Sequence, residues 1–472
     1  MNQYDHIAEI QGLLSNHKLK NFIDSGTLLG FVRDSSILSW DNDIDIGVIH
    51  DSDEDLGELC NDFVNAGYGV SYNKWGILLE KKGLIETNIR VYKRIDLNIY
   101  TIYKTSDASS SILKRLSDIV YNDSTSLTGG LLKEKIRAFI RNLASLVPDS
   151  LLRRALKPRN YVSLISAAIV EPTKEIIVSG TSFQVPSLSE EYLEKKYGKN
   201  WKIPTKDYSY KKDDGTICEY KMDLSDVLYL LKSVRSTFFK HDADVYLTAG
   251  TLLGAVRDKG LIPWDYDIDL ASKESFLANA DLIAQDLSDL GITVFTSKMT
   301  NVMALYYKGV TVDIDFYRSQ GSDLVMPMKQ INNRLGKLIY FMDWMFCFEP
   351  KSSLLKSINN RVTNAVPRHI ITFFLKKLPS RLRIACMDLL KKAATLTGNS
   401  RGLVKIPKRF VGDLDKIDIF NDEWPIPENF DEYLSLYYGN WQIKDKNYHY
   451  FDSKGEAISS TQVPNEEWEH RL

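Results

Sequence analysis

A motif of more than twenty residues occurs twice in this chain of 472 residues, and this repeat constrains the fold more than any other feature. Residues 25–47 read SGTLLGFVRDSSILSWDNDIDIG, and residues 249–270 read AGTLLGAVRDKGLIPWDYDIDL. The second copy begins 224 positions after the first, and no gap interrupts the alignment. The repeat predicts two equivalent domains of about 230 residues, each long enough to bury its own core.

The similarity between the two halves extends beyond the motif. In each half, apolar residues at helical spacing and then a short strand precede the Gly-Thr pair. The halves also end alike, with EEYLEKKYGKNWKIPTKDYSY at 190–210 and DEYLSLYYGNWQIKDKNYHY at 431–450. The polar segment KKDDG follows the first ending, so we predict one domain at 1–215 and a second at 216–472.

The composition excludes several classes of protein. A formal net charge of −2 does not suit a general nucleic-acid binder, and 44% hydrophobic residues are typical of a globular chain. The four cysteines lack metal-ligand or disulfide spacing, so we expect reduced thiols. The segment MNQYDHIAEI does not resemble a signal peptide, and no apolar run reaches the ~18 residues of a membrane span. We therefore expect a cytoplasmic protein.

Each half carries a basic helical segment between the motif and the ending, at 131–159 and at 356–392. Apolar residues at helical spacing in the first segment are Ile136, Phe139, Ile140 and Leu143. Pro148 and Pro379 should divide each segment into two helices. Two interpretations are open. The segments either pack on their own domains with solvated basic faces, or contact the anionic inner face of the cytoplasmic membrane.

The Asp triplets carry most of the chemical information. In WDNDIDIGVI, strand alternation places Asp41, Asp43 and Asp45 on one face and apolar residues on the other. The corresponding residues of the second copy are Asp265, Asp267 and Asp269. Adjacent carboxylates repel one another unless a cation binds them, and oxygen ligands without His or Cys favour Mg²⁺ or Mn²⁺ over zinc.

A further acidic strand follows in each half. RIDLNIY places Asp96 and Asn98 on one face, and TVDIDFY places Asp313 and Asp315 likewise. We align Asp96 with Asp313 and Asn98 with Asp315. Two carboxylates on one strand and a third on its neighbour suit metal-assisted phosphoryl or nucleotidyl displacement. Asn98 makes the first half the better candidate for weakened activity.

We predict substrate-binding roles in the strand-to-helix turn of each motif. Small residues there let backbone N–H groups approach a phosphate, and an arginine can fork onto a phosphate or pair with a triplet Asp. The residues assigned to substrate binding are Gly26, Thr27, Arg33, Gly250, Thr251 and Arg257. The aromatic residues expected to form walls or pack helices are Trp40, Tyr192, Tyr197, Trp201, Trp264, Tyr433, Tyr438 and Trp441.

At these residues the sequence resembles the LicD family, which includes bacterial phosphocholine transferases and the fukutin-related proteins. The family signature is similar to GTLLGxxRxxxxxxWDxDxD followed by a strand with a further Asp, and the chain carries it twice. The resemblance implies an α/β (α+β) fold with two tandem nucleotidyltransferase-like domains, each a mixed sheet flanked by helices. The catalytic metal ligands that it implies are Asp43, Asp45, Asp96, Asp267, Asp269 and Asp313, supported by Asp41, Asp265 and Asp315.

The resemblance also implies a reaction. A phospho-alcohol would move from a CDP-activated donor, such as CDP-choline, CDP-ribitol or CDP-glycerol, to a hydroxyl of a cell-surface glycan. The acceptor would be a glycan of the lipopolysaccharide, capsule or teichoic-acid type or a lipid-linked saccharide, and Mg²⁺ or Mn²⁺ would be the cofactor. Nucleic acid is not an expected partner.

Two alternatives stay open. The first is a glycosyltransferase that uses Asp-x-Asp to hold a nucleotide-sugar diphosphate. The second is one active domain joined to a degenerate domain that binds the acceptor. Both halves keep all three triplet acids, so we favour two working sites.

Overall fold

The computed structural model divides the chain into two compact units. The N-terminal unit comprises Met1–Ala144 and Arg153–Tyr220, and the C-terminal unit comprises Ser145–Leu152 and Lys221–Leu472. The structure describes residues 2–51, 56–122, 124–128, 131–147, 149–205, 208–273, 276, 278–296, 302–330, 334–336, 338, 339, 342, 349, 350, 375, 377–397, 400–445, 458 and 459.

The elements of the first half alternate between short helices and strands. The helices are α1 (Gln3–Asn16), α2 (Ser25–Asp34), α3 (Gly57–Asn65), α4 (Ser111–Tyr121), α5 (Leu131–Ser145), α6 (Asp149–Leu156), α7 (Ala167–Val170), α8 (Ser189–Tyr197) and α9 (Tyr210–Asp213). The strands are β1 (Lys20–Ile23), β2 (Asp43–Ile49), β3 (Gly69–Asn73), β4 (Gly76–Glu80), β5 (Glu86–Ile95), β6 (Asn98–Ser106), β7 (Thr125–Ser126), β8 (Pro158–Ser166), β9 (Lys174–Val178), β10 (Thr181–Val185) and β11 (Ile217–Tyr220).

Nine of these strands form one mixed sheet in the N-terminal unit. Its main path runs β11-β8-β6-β5-β4-β3-β7, and β2 pairs in parallel with β5 and antiparallel with β1. Because β2 and β5 run in the same direction side by side, paired residues of the two strands point to the same face of the sheet. The strand β11 pairs with β8 at the edge of this sheet, so the N-terminal unit ends after Tyr220. The domain boundary predicted from the sequence lies five residues earlier.

The second half repeats the order of the first. Its helices are α10 (Leu224–Lys240), α11 (Ala249–Leu253), α12 (Ala280–Asp289), α13 (Ser380–Leu396) and α14 (Phe430–Tyr438), and a π-helical turn at Gly254–Asp258 continues α11. Its strands are β12 (Tyr246–Leu247), β13 (Asp267–Lys273), β14 (Thr293–Thr296), β15 (Val302–Tyr307), β16 (Val310–Gln320), β17 (Asp323–Gln330), β18 (Glu349–Pro350), β19 (Ser400–Pro407), β20 (Leu414–Ile419), β21 (Asp422–Pro427) and β22 (Ile458–Ser459).

The C-terminal sheet has the same central arrangement. Its path runs β18-β14-β15-β16-β17-β19-β22, with β13 parallel to β16 and antiparallel to β12. Mixed sheets flanked by helices therefore occur in both units, and this confirms the predicted fold class. No helix among the described residues is long and apolar enough to cross a membrane.

The alternation of the triplet strand explains how each unit builds its core. Along β2, Ile44, Ile46 and Val48 are fully buried while the Asp side chains between them face the other way. These residues pack in the same cluster as Ile7 and Ile10 of α1. Burying each such side chain contributes about 1.5–3 kcal/mol, so the alternation that fixes the core also fixes where the carboxylates point.

The first basic segment forms two helices, α5 and α6, as predicted. The packed interpretation expects the apolar residues of α5 to face the domain and the basic residues to face solvent. The structure shows the opposite, because Ile136, Phe139 and Leu143 are each about half exposed. Arg137 and Arg141 instead point inward and donate hydrogen bonds to the Ser124 carbonyl. The described part of this segment thus presents an apolar face to solvent. In the second basic segment, residues 356–374 lie outside the described residues, and α13 begins directly after Pro379.

Candidate active sites

Each unit has a cavity where its motif turn meets its triplet strand. The N-terminal cavity measures about 1090 Å³ and the C-terminal cavity about 690 Å³. The triplet residues Asp41, Asp43 and Asp45 line the first, and their counterparts in the second copy line the other. The carboxylates predicted from alternation therefore converge within each unit.

The glycine of each motif packs directly against the carboxylates. The Gly250 N–H donates to Asp269 Oδ2 at 2.9 Å, and the Gly26 N–H donates to Asp45 Oδ2 at 3.3 Å. A Cβ on Gly250 would lie 2.7 Å from Asp265 Oδ2, so this close approach requires glycine. The residue before each glycine, Ser25 or Ala249, has a positive φ. The described contacts of the turn are thus to carboxylates of the protein, and phosphate contact by Gly26 or Gly250 stays a prediction.

The motif threonines have a positioning role. Thr27 Oγ1 accepts the Asp45 N–H at 2.9 Å, and Thr251 Oγ1 accepts the Asp269 N–H at 2.8 Å. Both threonines are buried, and neither is among the described residues that line these two cavities. The hydroxyls of Thr27 and Thr251 tie the helix to the triplet strand, and their assignment to substrate binding stays a prediction.

The motif arginines pair with the aspartate that follows them. Arg33 forms a two-pronged ion pair with Asp34, at 2.9 and 2.8 Å, and Arg257 does the same with Asp258 at 3.1 and 2.9 Å. Arg33 and Arg257 also line their cavities. Pairing with a triplet carboxylate is excluded for both, while a contact with substrate phosphate stays a prediction.

Burial and mutual repulsion raise the pKa values of the carboxylates. In the N-terminal unit, burial and then Asp43 raise the pKa of Asp41 to about 6. Burial, followed by the charges of Asp24 and Asp43, raises the pKa of Asp45 to about 8. Burial and the neighbouring carboxylates thus disfavour ionisation of this cluster.

The C-terminal carboxylates show the same effect more strongly. Burial and then Asp267 raise the pKa of Asp265 to about 7. Burial first, and then neighbouring carboxylates, hold the pKa values of Asp269 and Asp315 well above their usual range. Crowded carboxylates with raised pKa values are the environment in which a bound cation restores ionisation.

The register of the parallel strands corrects the assignment of Asp96. In the C-terminal unit Asp269 lies beside Asp313, whereas in the N-terminal unit Asp45 lies beside Asn88. Asp96 comes after the end of β5, in the hairpin turn to β6, with φ +51°. Eight residues separate it from the level of Asn88, roughly 26 Å along a strand. Asp96 is therefore not part of the cavity.

The lining of the C-terminal cavity distinguishes Asp315 from Asp313. Asp315 lines the C-terminal cavity, and its charge acts on Asp269. Asp313 is not among the described residues that line this cavity. Asp315, predicted as a supporting residue, therefore takes the place that was assigned to Asp313. Its counterpart by register in the N-terminal unit is Arg90, which sequence reasoning missed.

The aromatic residues of the two endings pack as predicted. Tyr192 and Tyr433 contact residues that come directly before the motif turns. Tyr192 is buried and donates a hydrogen bond to Asp24, which also accepts from Tyr92 at 2.8 Å. In the second unit Tyr433 lies 2.6 Å from Thr248 Oγ1. Of the aromatic residues predicted to form walls or pack helices, those that line the cavities are Trp40, Tyr197, Trp201, Trp264, Tyr438 and Trp441.

The C-terminal residues fit a divalent cation in donor chemistry. Five carboxylates line one cavity with no His or Cys among its described residues, and hard oxygen donors suit Mg²⁺ or Mn²⁺. Among the described residues, no three acidic, His or Cys side chains are already spaced to hold a metal ion. The cavity would bring its carboxylates closer around a cation. The residues that would hold one are Asp265, Asp267, Asp269 and Asp315.

A Gly-Thr helix, an Asp triplet and a parallel partner strand recur in both units and define a tandem protein of the nucleotidyltransferase type. The family model described as LicD/FKTN/FKRP, nucleotidyltransferase domain, matches residues 18–123 and 242–357. The chain therefore carries two copies of this LicD-family domain in tandem.

Two curated bacterial proteins are similar over shorter stretches. An uncharacterized protein of Rickettsia prowazekii (strain Madrid E) is 36% identical over 98 residues, which cover 21% of this chain and 36% of that protein. An uncharacterized protein of Rickettsia typhi (strain ATCC VR-144 / Wilmington) is 35% identical over 71 residues, covering 15% and 23%. The chain thus matches only about a third and a quarter of the lengths of these relatives.

We expect Gly250→Ala to weaken Mg²⁺ binding by at least about tenfold, because the new Cβ would push the Asp265 and Asp269 carboxylates apart. Isothermal titration of the variant with Mg²⁺ measures this. Gly260→Ala is the matched control, since nothing lies within 4 Å of its added Cβ. Equal affinity of the wild type and Gly250→Ala would contradict the described geometry.

The raised pKa of Asp265 predicts a pH-dependent stability. A carboxyl with a raised pKa in the folded state stabilises that state fully below its ordinary pKa of 3.8, and this stability is lost as pH rises through about 7. In EDTA the melting temperature of the C-terminal unit should therefore fall by about 4 °C or more between pH 5 and pH 8. Scanning calorimetry checks this, and Asp265→Asn should flatten the profile; an unchanged profile in that variant would contradict the assignment.

Proposed function

We propose that the chain transfers a phospho-alcohol from a CDP-activated donor to a hydroxyl of a cell-surface glycan, with the C-terminal cavity as the catalytic site. One observation carries this proposal: Asp315 on β16 shares a cavity with the Asp triplet, so the site has carboxylates on two adjacent strands. The LicD-family match supports a transferase, and the paired strands support a metal-assisted displacement at phosphorus.

The residues of the C-terminal site have distinct roles in this reaction. Asp267, Asp269 and Asp315 would hold Mg²⁺ or Mn²⁺, which when bound neutralises the donor diphosphate. Gly250 and Thr251 fix the position of Asp269 through its side chain and its backbone N–H. Asp265 packs against Gly250 and supports the same cluster.

The bond changes follow from this arrangement. The acceptor hydroxyl loses its proton to a carboxylate of the cluster. Its oxygen attacks the phosphorus that bears the alcohol, the P–O bond to the cytidylyl group breaks, and CMP leaves. Positioning and charge neutralisation supply most of the rate enhancement in such displacements.

A panel of activated donors tests the proposal. The full chain is incubated with Mg²⁺, lipid-linked glycan and CDP-choline, CDP-ribitol or CDP-glycerol, and released CMP is measured. We expect glycan-dependent CMP release with at least one donor. Selective turnover of UDP-sugars in a parallel reaction would instead support a glycosyltransferase and overturn the proposal.

We also propose that α5 contacts an anionic membrane, which would bring the chain to a lipid-linked acceptor. The support is the exposed stripe of Ile136, Phe139 and Leu143, beside the exposed cations Lys133 and Lys135. Apolar residues among cations are typical of helices that lie in the headgroup region.

Vesicle sedimentation tests this membrane contact. The wild type should sediment with anionic vesicles, and the double variant Ile136→Ser/Phe139→Ser should lose most of that binding. Ile177→Ser is the matched control, because Ile177 is also an exposed apolar residue of the same unit. Equal sedimentation of all three proteins would contradict the proposal.

A further inference from the structure

We infer that the N-terminal cavity binds a nucleoside diphosphate without a divalent cation, and that the Arg90 guanidinium supplies the positive charge. The N-terminal unit would then be a binding module in the same chain as a metal-dependent catalytic unit. This inference goes beyond the proposed transfer reaction and is carried by residues that differ between the two units.

The first observation is the residue that each unit places beside its triplet strand. The partner of Gly47 across the parallel ladder is Arg90, and the partner of Ala271 at the same level is Asp315. Both residues line their cavities. The charge at this position is therefore reversed, and the N-terminal unit lacks the carboxylate that would complete a cation site.

The second observation concerns the neighbouring position. Asn88 lies beside Asp45, where the C-terminal unit has Asp313. The Asn88 amide donates a hydrogen bond to Asp43 Oδ2 at 2.6 Å. A triplet carboxylate in the N-terminal unit is thus bound by a neutral donor of the protein. These residues do not fit a divalent cation as their C-terminal counterparts do.

The third observation is the setting of Arg90. Its guanidinium carbon lies 4.2 Å from the ring centre of Tyr103, a cation–π distance. No described carboxylate is within ion-pair distance of Arg90, so its donors are available to a ligand. The cationic residues that line the N-terminal cavity are Arg33, Arg90, Lys104 and Lys196, whereas the described lining of the C-terminal cavity has Arg257 alone.

The rest of the cavity suits the other parts of a nucleotide. Thr105 Oγ1 and Tyr208 Oη are buried, and neither has a hydrogen-bond partner among the described residues. Both residues line the cavity, and in this inference the hydroxyls of a ribose would supply their hydrogen-bond partners. Aromatic side chains such as Tyr197 offer a surface on which a base stacks, and about 1090 Å³ is ample for a nucleotide. A guanidinium is the protein group best matched to a diphosphate.

Titration with CDP in EDTA tests the inference. The full chain carrying Asp267→Asn, which disables the C-terminal site, should bind one CDP per chain. Adding Arg90→Ala should weaken this binding at least about tenfold, and Arg90→Lys should fall between the two. Arg94→Ala is the matched control, because Arg94 lies on the same strand but pairs with Asp51 and Glu171.

The outcomes decide the inference. Absence of CDP binding in EDTA, or equal binding by Arg90→Ala and the control, would overturn it. These measurements read binding without turnover, so a failure of the proposed transfer reaction would leave them unaffected.

Manganese binding gives a second readout. In electron paramagnetic resonance titrations, the variant Asp267→Asn/Asp269→Asn should bind no Mn²⁺, because the N-terminal unit contributes no site. Adding Asn88→Asp/Arg90→Asp to that variant should create one, since it restores the carboxylates that the C-terminal strand has at these positions. Saturable Mn²⁺ binding by the first variant would overturn the inference.

Discussion

Asp267→Asn is expected to reduce glycan-dependent CMP release by about 10³-fold or more, the largest functional effect that the structure predicts. The substitution removes one negative charge from the triplet while conserving the size of the side chain. A cation that neutralises a transferring diphosphate contributes several kcal/mol to transition-state stabilisation, and each ~1.4 kcal/mol is a factor of ten in rate. The loss should appear in kcat as well as in kcat/KM.

Three comparisons make this prediction specific. Asp415→Asn, at an exposed position of the same unit, should retain full activity. Asp315→Asn should also lose activity, and Asp313→Asn should lose less, because only Asp315 is among the described residues that line the cavity. Activity of Asp267→Asn near that of Asp415→Asn would show that the C-terminal cavity is not the catalytic site.

The repeated motif predicted the fold, and the alternation of acidic and apolar residues along its strand predicted the triplet carboxylates of each site. Strand alternation placed Asp43, Asp45 and their counterparts on the cavity face because the intervening apolar residues must be buried. The identical spacing in both copies made duplication of a whole domain the simplest interpretation. These features depend on local periodicity, which a sequence records directly.

The second strand was assigned wrongly because alternation alone does not show where a strand ends. The residues RIDLNIY alternate through a hairpin turn, in which Asp96 has a positive φ and Leu97 is 84% exposed. The offset of the motif leads close to the true partner, since it takes Asp315 to position 91, one residue from Arg90. Tyr92 and Tyr317 are 225 positions apart, close to the 224 of the motif, whereas aligning Asp96 with Asp313 requires 217. Register across the sheet, which places Arg90 opposite Gly47, is non-local and had to come from the structure.

The contacts of the tyrosine-containing endings also required the structure. The helix α8 places Lys196 in the interior, where its Nζ lies 3.2 Å from Asp214 Oδ2. Aligned through Gly198 and Gly439, the endings place Tyr437 of the second unit opposite Lys196. The hydroxyl of Tyr437 lies 3.0 Å from that of Tyr317. The same fold therefore fills one position with an ion pair in one unit and with a tyrosine pair in the other.

Lys196→Met is expected to destabilise the N-terminal unit by about 3–5 kcal/mol, because removing one partner of a buried ion pair leaves an uncompensated charge. The two side chains are only 4% and 1% exposed. Burial alone would lower the pKa of the Lys196 ammonium, but nearby Tyr103 and Tyr92, with Asp24 and Asp214, hold it well above its usual range. The ammonium is therefore charged at neutral pH, and its loss removes the positive charge that faces Asp24, Asp214 and the two tyrosines.

Urea unfolding followed by tryptophan fluorescence measures this loss, since Trp75 and Trp201 lie in the N-terminal unit. Lys195→Met is the matched control on the exposed face of the same helix and should change the unfolding free energy by less than about 0.5 kcal/mol. The double variant Lys196→Met/Asp214→Asn should recover part of the stability, because the asparagine carbonyl can still accept the Thr216 N–H that Asp214 accepts at 2.9 Å. A single variant as stable as the control would mean that the pair contributes nothing, and the charges of the N-terminal cavity would then be balanced by other groups.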